Sequence, residues 1–168
     1  MKARLFVGVV YSKIEIYNKA IELLKKHFGE IEQEGEEFDF NFTKYYEKEM
    51  GKNLRKRFIL FKKLIDRKKL PDIKLQAIKL EEKFRENNKR QVNIDPGYIT
   101  LNNVVVASTK EIPYRIYLNK GIFADLQLIL KKKEVIPFKH TFPDYKQSKD
   151  FFLESRQRFK NSQNKLSN

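Results

Sequence analysis

The sequence predicts a single-domain α+β sandwich, with a mixed, mainly antiparallel sheet in ferredoxin-like βαββαβ order and an added C-terminal hairpin and helix. Three observations lead there. A chain of 168 residues is long enough for one real core and too short for two. Strand-like apolar or alternating runs and stretches of helical period follow one another in the order βαββα over the first half. The 14 Phe and 8 Tyr supply large groups to bury, although charged residues make up 35% of the chain. Residues 1–160 are assigned to the domain, and 161–168, which lack apolar mass, to a frayed polar tail.

Leu5–Tyr11 is a continuous apolar run, as a central strand would be, and Ser12 is placed to cap the helix that follows. Ile14, Tyr17, Ala20, Ile21, Leu24 and Phe28 recur at helical spacing, with Lys25, Lys26 and His27 in the last turn and Gly29 after it. Phe38, Phe40 and Phe42 alternate with Asp39 and Asn41, the mark of a half-buried strand. Thr43–Gly51 reads as a short helix, with Tyr45 and Glu49 one turn apart. Phe58–Ile65 is rich in β formers. Pro71 and Asp72 open a second long helix, whose buried face is Ile73, Ala77, Leu80 and Phe84 and whose stop is Asn87-Asn88. Gln91–Ile94 supplies a further strand. It ends in the turn Asp95-Pro96-Gly97, where glycine takes the positive φ of a type II turn. Leu101–Thr109 is open between a strand, favoured by Val104–Val106, and a short helix capped by Thr100. Tyr114–Leu118 and Ile122–Leu130 flank a three-residue hairpin loop, Asn119-Lys120-Gly121. Val135–Phe138 extends that hairpin, and Phe151–Phe159 forms a last helix capped by Ser148.

The formal charge is +14 and unevenly spread. Glu30–Met50 holds eight acidic and two basic residues, Lys52–Arg90 fifteen basic and five acidic. Such a field attracts polyanions, nucleic acid foremost; a merely solvated lysine-rich surface is the plainer alternative, since Lys outnumbers Arg by 27 to 9. The absence of cysteine excludes disulfides, thiolate nucleophiles and cysteine-bound metals. No apolar stretch approaches the roughly 20 residues of a membrane helix, so the expectation is a soluble, cytoplasmic protein with no membrane partner. There is no GxxxxGKS/T loop, no GxGxxG after a strand and no HExxH. Only His27 and His140 could ligate a metal through imidazole, and they lie far apart; no metal is expected and no motif names a cofactor.

Polar residues gather in the second half. Asn93, Asp95, Tyr98, Lys110, Arg115, Tyr117, Lys120 and Asp125 form a candidate constellation. Counting back from the hairpin loop sets Arg115 opposite Asp125, where a guanidinium could give an otherwise unpaired carboxylate two hydrogen bonds. An ordinary cross-strand ion pair explains that geometry as well. A second cluster, FTKYYEKEMGKNLRKRF, interleaves aromatic residues such as Tyr45 with bases such as Arg55 and Arg57, the mixture of rings and cations that single-stranded nucleic acid favours, and Glu49 joins it as a further candidate.

The stretches LFVGVVYS, FDFNFTKYYEKEMGKNLRKRF, RQVNIDPGYITL, YRIYLNKGIFADLQL and TFPDY resemble, in order from Leu5 to Tyr145, an uncharacterised prokaryotic family known as domain of unknown function 4416. The resemblance implies His at the position of Tyr114 and Glu at that of Asp125, so a carboxylate is kept and a histidine is not. It favours a helix over Leu101–Thr109. It implies no activity. The expected function is therefore a binding module for a phosphate-bearing ligand, RNA or nucleotide, using Lys52–Arg57 and the Lys110, Arg115 and Lys120 group. The rivals are a small-molecule enzyme with Asp95 or Asp125 as acid or base and Arg or Lys holding an anion, and a protein-interaction domain.

Overall fold

The structure, a computed structural model, describes residues 1–166. Strand β1 (Lys2–Tyr11) lies in the middle of a large antiparallel sheet because it can be covered on both faces: every residue from Ala3 to Tyr11 is buried. It pairs with β4 (Arg55–Asp66) on one side and β5 (Val92–Ile99) on the other. The short strands β2 (Ile31–Glu34) and β3 (Phe38–Asp39) add to β4. Beyond β5 come β6 (Asn103–Ser108), β8 (Ile122–Leu130) and β7 (Arg115–Asn119), with β9 (Val135–Pro137) also on β8. Among the described residues this makes one mixed α/β unit of nine strands and five helices, a wider sheet than the sequence suggested. No described helix is long and apolar enough to cross a membrane.

The alternation of side chains divides the core into two layers. Leu5, Val7, Val9 and Tyr11 join Ile94 beneath helices α1 (Ile14–Phe28) and α3 (Leu70–Glu82). Phe6, with Phe58, Leu60 and Val106, meets the C-terminal helices α4 (Pro143–Gln147) and α5 (Lys149–Leu166) through Tyr145, Phe151 and Phe152. A small cluster of Val10, Phe40, Met50 and Leu54 seats α2 (Glu47–Met50) at one end of this second face.

Several expectations need correcting. Ser12 does not cap α1, whose N-cap position is Lys13 with no side-chain cap, and the helix expected over Thr43–Gly51 is confined to Glu47–Met50, leaving Tyr45 outside it. Asp95-Pro96-Gly97 is not a turn but the interior of β5, and Gly97 is not among the positive-φ glycines, which are Gly29, Gly51 and Gly121. Space selects glycine there, because a Cβ would lie 2.3 Å from the Val105 carbonyl oxygen and 2.5 Å from the Phe6 ring. Leu101–Thr109 contains strand β6 and no helix: Val104 and Val106 are buried on one face, Val105 and Ala107 on the other, and Thr100 Oγ1 serves the tight turn to Asn103. The hairpin loop has two residues, with Asn119 paired to Ile122 and both Lys120 (φ 54°) and Gly121 (φ 73°) left-handed, as a type I′ turn requires. An irregularity between Tyr117 and Asn119 restores the expected register further along. The Phe38–Phe42 strand stops at Asp39, because Phe40 turns into the Val10 cluster while Phe42 remains exposed. Helix α5 runs on through Asn161–Leu166, part of the expected frayed tail, as a continuation of a helix anchored by Phe151, Phe152 and Phe159; residues 167 and 168 of that tail lie outside the described residues.

Candidate functional site

The site begins with a proline. β5 pairs with β6 only through Gly97, Tyr98 and Ile99, opposite Val106, Val105 and Val104. Pro96, the next residue back, has no N–H to donate, so the ladder ends and Asn93–Asp95 border an opening instead of a strand. The backbone of Ile94, left without a β6 partner, is satisfied from α3. Its N–H donates to Glu81 Oε1 (2.6 Å) and its carbonyl accepts from Lys74 Nζ (3.2 Å). Leu70, Lys74, Ala77 and Glu81 are a buried stripe on that helix, so two charged side chains take the place of a missing strand.

On the α4–α5 side of the sheet the opening widens into a cavity of about 440 Å³. The loop from Phe40 to Tyr46, the end of β6 with Ser108–Lys110, and Phe142–Tyr145 form its walls. Lys56, Lys74, Arg90, Lys110 and Arg115 line it, against the carboxylates of Asp95 and Asp144. Lys74 reaches from the helix side of the sheet to Asp95 Oδ1 (2.8 Å), whose other oxygen accepts from Asn93 Nδ2 (2.6 Å). Arg90 donates to Asn93 Oδ1 (2.9 Å) and Glu49 Oε2 (3.0 Å), lies 3.7 Å from Glu81 Oε2, and covers the Tyr46 ring. Lys56 and Asp144 pair at 2.5 Å, each side chain 4% exposed. The Lys56 chain crosses β1 at Gly8, where a Cβ would come within 2.9 Å of its Cε.

Two acids respond to this setting in opposite directions. Burial disfavours the Asp95 carboxylate, but the charges of Lys74 and then Lys56, with the hydrogen bonds from Lys74 and Asn93, outweigh it and hold its pKa below the ordinary value. Burial dominates at Glu81. Its pKa is pushed up to about 7 despite Lys74, the Ile94 N–H and Arg90, and the Asp95 charge adds to the rise.

Arg115 is a tightly constrained cation of the cavity wall. It stands on β7 directly opposite Asp125 of β8, as the loop count predicted, and the row Gly97, Val106, Asp125, Arg115 runs over four strands on the cavity side. Nε donates to Asp125 Oδ2 (2.7 Å), and Nη1 to Ser108 Oγ (2.6 Å) and the Lys110 carbonyl (3.0 Å). Nη2 has no acceptor among the described residues, although the side chain is only 7% exposed. Asp125 is fully buried, is held also by Gln127 (2.6 Å), and does not line the cavity; it positions Arg115. Lys110 has no carboxylate partner among the described residues and places Nζ 3.8 Å from the Tyr45 ring centroid.

The cavity thus gathers Asn93, Asp95, Lys110, Arg115 and Tyr45 from the two sequence clusters, with Glu49 and Asp125 one layer behind. Others fall elsewhere. Tyr98 points to the α3 side under Arg67. Tyr117 packs on Phe123, and Lys120 pairs with Asp72 at the hairpin end. Arg55 and Arg57 are met by the acidic segment, Arg55 by Glu37 and Asp39, Arg57 by Glu34 and Glu37. The sequence reading missed the cavity residues Lys56, Lys74, Arg90 and Asp144, and Glu81 behind them. One signal was present: Lys74 and Glu81 are charges seven residues apart, on a helical stripe with Leu70 and Ala77. Among the described residues no group of three or more His, Asp or Glu could hold a metal ion.

These features define an antiparallel α/β protein whose sheet is parted at a proline to admit a charge-lined cavity. The chain belongs to the family described as Domain of unknown function (DUF4416), whose model matches residues 1–159. No curated protein and no solved structure matches it.

Proposed function

We propose that the protein binds a small phosphate-bearing ligand of nucleotide size in the cavity beside β5. The observation that carries this reading is Arg115, fixed by three protein acceptors with Nη2 left over at the wall of a cavity of about 440 Å³. A guanidinium held in this way is preorganised for an oxyanion, and Lys110 adds a cation with no carboxylate of its own. The volume falls within the usual range for small-molecule sites, about 300–1,000 Å³. A nucleotide fits this description better than an RNA strand, because Arg55 and Arg57 are already neutralised by neighbouring acids. In the same reading, β2, β4, β1 and β5 with α1 and α3 form a ferredoxin-like unit, and β6–β9 extend it to build the cavity's second wall.

Asp95 favours one further step. It is 26% exposed and paired with Lys74 at the cavity wall, within reach of a proton on a bound substrate, and the lowered pKa that Lys74 gives it makes it a weak base until that ion pair is loosened. Calorimetric titration with AMP, pyrophosphate and a single-stranded RNA oligonucleotide tests the reading. The expected result is binding of AMP or pyrophosphate, lost in Arg115→Ala, and no preference for the oligonucleotide. Binding of the oligonucleotide alone, undiminished in Arg115→Ala, would sink it.

A further inference from the structure

The cavity contains a polar group that the reading above does not use. Among the described buried side-chain atoms without a hydrogen-bond partner, Tyr145 Oη is the one whose residue lines this cavity. The ring is 1% exposed and packs on Phe6, Phe58, Phe142 and Phe152, a setting in which phenylalanine would fill the same space with no hydroxyl to desolvate. A buried donor without an acceptor lowers stability. Tyr145, a residue of the cavity wall, therefore carries a buried oxygen that the folded chain leaves unsatisfied. The hydroxyl keeps its proton: burial first, then the charges of Asp144, Asp95 and Asp125, raise its pKa well above the ordinary value.

We infer that the Tyr145 hydroxyl is a ligand-binding donor, giving its hydrogen bond to an oxygen at the buried end of the ligand. This rests on the reading of the cavity as a phosphate site. Arg115 and Tyr145 are two of its buried donors, whereas Phe42, Tyr45 and Phe142 line the same cavity with 38%, 55% and 36% of their surface exposed. The ligand enters oxyanion first and leaves any planar group against these rings.

The test is Tyr145→Phe, measured by calorimetric titration with AMP and pyrophosphate and by thermal unfolding without either. Loss of one hydrogen bond to a charged acceptor predicts affinity about tenfold weaker or worse. The melting temperature without probe should be unchanged or higher. Ser155→Ala is the control, since Ser155 Oγ is equally buried and unpartnered but lies outside the cavity wall; it should leave affinity unchanged. Equal affinity for Tyr145→Phe and the parent chain overturns this inference and leaves the phosphate reading standing. A melting temperature lowered by several degrees also overturns it, because the hydroxyl then has a partner within the fold. Failure of the parent chain to bind either probe overturns the phosphate reading, and this inference with it.

Discussion

Two groups of cations, close in composition, meet different fates in this molecule. In the belt of Lys52–Arg57, Arg55 and Arg57 lie in partly exposed ion pairs with Glu34, Glu37 and Asp39, and those pairs occupy the charges that made the belt look like a nucleic-acid surface. Around the cavity, Arg115 and Lys74 are nine-tenths buried and are held by groups that fix their direction. Arg115 keeps a donor free while being held. Charge density along the chain pointed to the belt; burial together with an unused hydrogen-bonding valence points to the cavity.

The sharpest way to break this contrast is to remove a partner from each group. Asp125→Ala leaves the Arg115 guanidinium buried without its carboxylate, and the expected cost is about 3–5 kcal/mol in denaturant unfolding. A loss below about 1 kcal/mol would place Arg115 with the belt.

Next in size is a pH dependence. The folded-state pKa of Glu81 is about 7 against an ordinary 4.5, so between those values the folded chain holds a proton that the unfolded chain has released. Stability should therefore fall as pH rises from 4.5 to about 7, by up to about 3 kcal/mol, and stay lowered above that. Glu81→Gln keeps an oxygen for the Ile94 N–H and should flatten the slope; a slope unchanged in that variant would assign it to another group. Asp95 gives the opposite arm, because its lowered pKa contributes stability above the ordinary carboxylate range that is lost as pH falls through the lowered value.

Gly97→Ala tests the seam between the two groups. A methyl forced against the Val105 carbonyl and the Phe6 ring should cost about 1–3 kcal/mol by overpacking, with no left-handed backbone involved. A variant as stable as the parent chain would show that the strands can part further. The smallest effect belongs to the belt: Arg55→Ala, at a position 41% exposed, should leave the unfolding midpoint close to that of the parent chain, with any difference shrinking as salt is added. A loss as large as that of Asp125→Ala would erase the distinction.

The elements with their own periodicity were legible. Helix α1, helix α3 and the Arg115–Asp125 opposition follow from spacing alone, the last even though the loop was counted one residue too long. Pro96-Gly97 was misread because the same dipeptide serves a turn through glycine's φ and a strand through glycine's lack of a side chain, and only the neighbours Phe6 and Val105 decide between them. Those neighbours are distant in sequence. The cavity residues Lys74, Arg90 and Asp144 were missed for a similar reason: they are held by partners on other elements, Asp95, Glu49 and Lys56. Asn93 and Asp95 were singled out as parts of a turn and arrive at the cavity as residues of a strand.

Pro96 leaves a free edge inside a sheet. Free edges are templates on which an unfolded neighbour can lay its own backbone, and most sheets shield theirs at the perimeter with charge, twist or a covering loop. Here the vulnerable stretch is central, and its seal is Lys74 and Glu81 bonded to the carbonyl and amide of Ile94. An intruding strand would have to displace both of these α3 side chains from Ile94 and leave them buried without those partners. The hole in the middle of the β-structure therefore offers no unbonded Ile94 backbone to a strand from another copy.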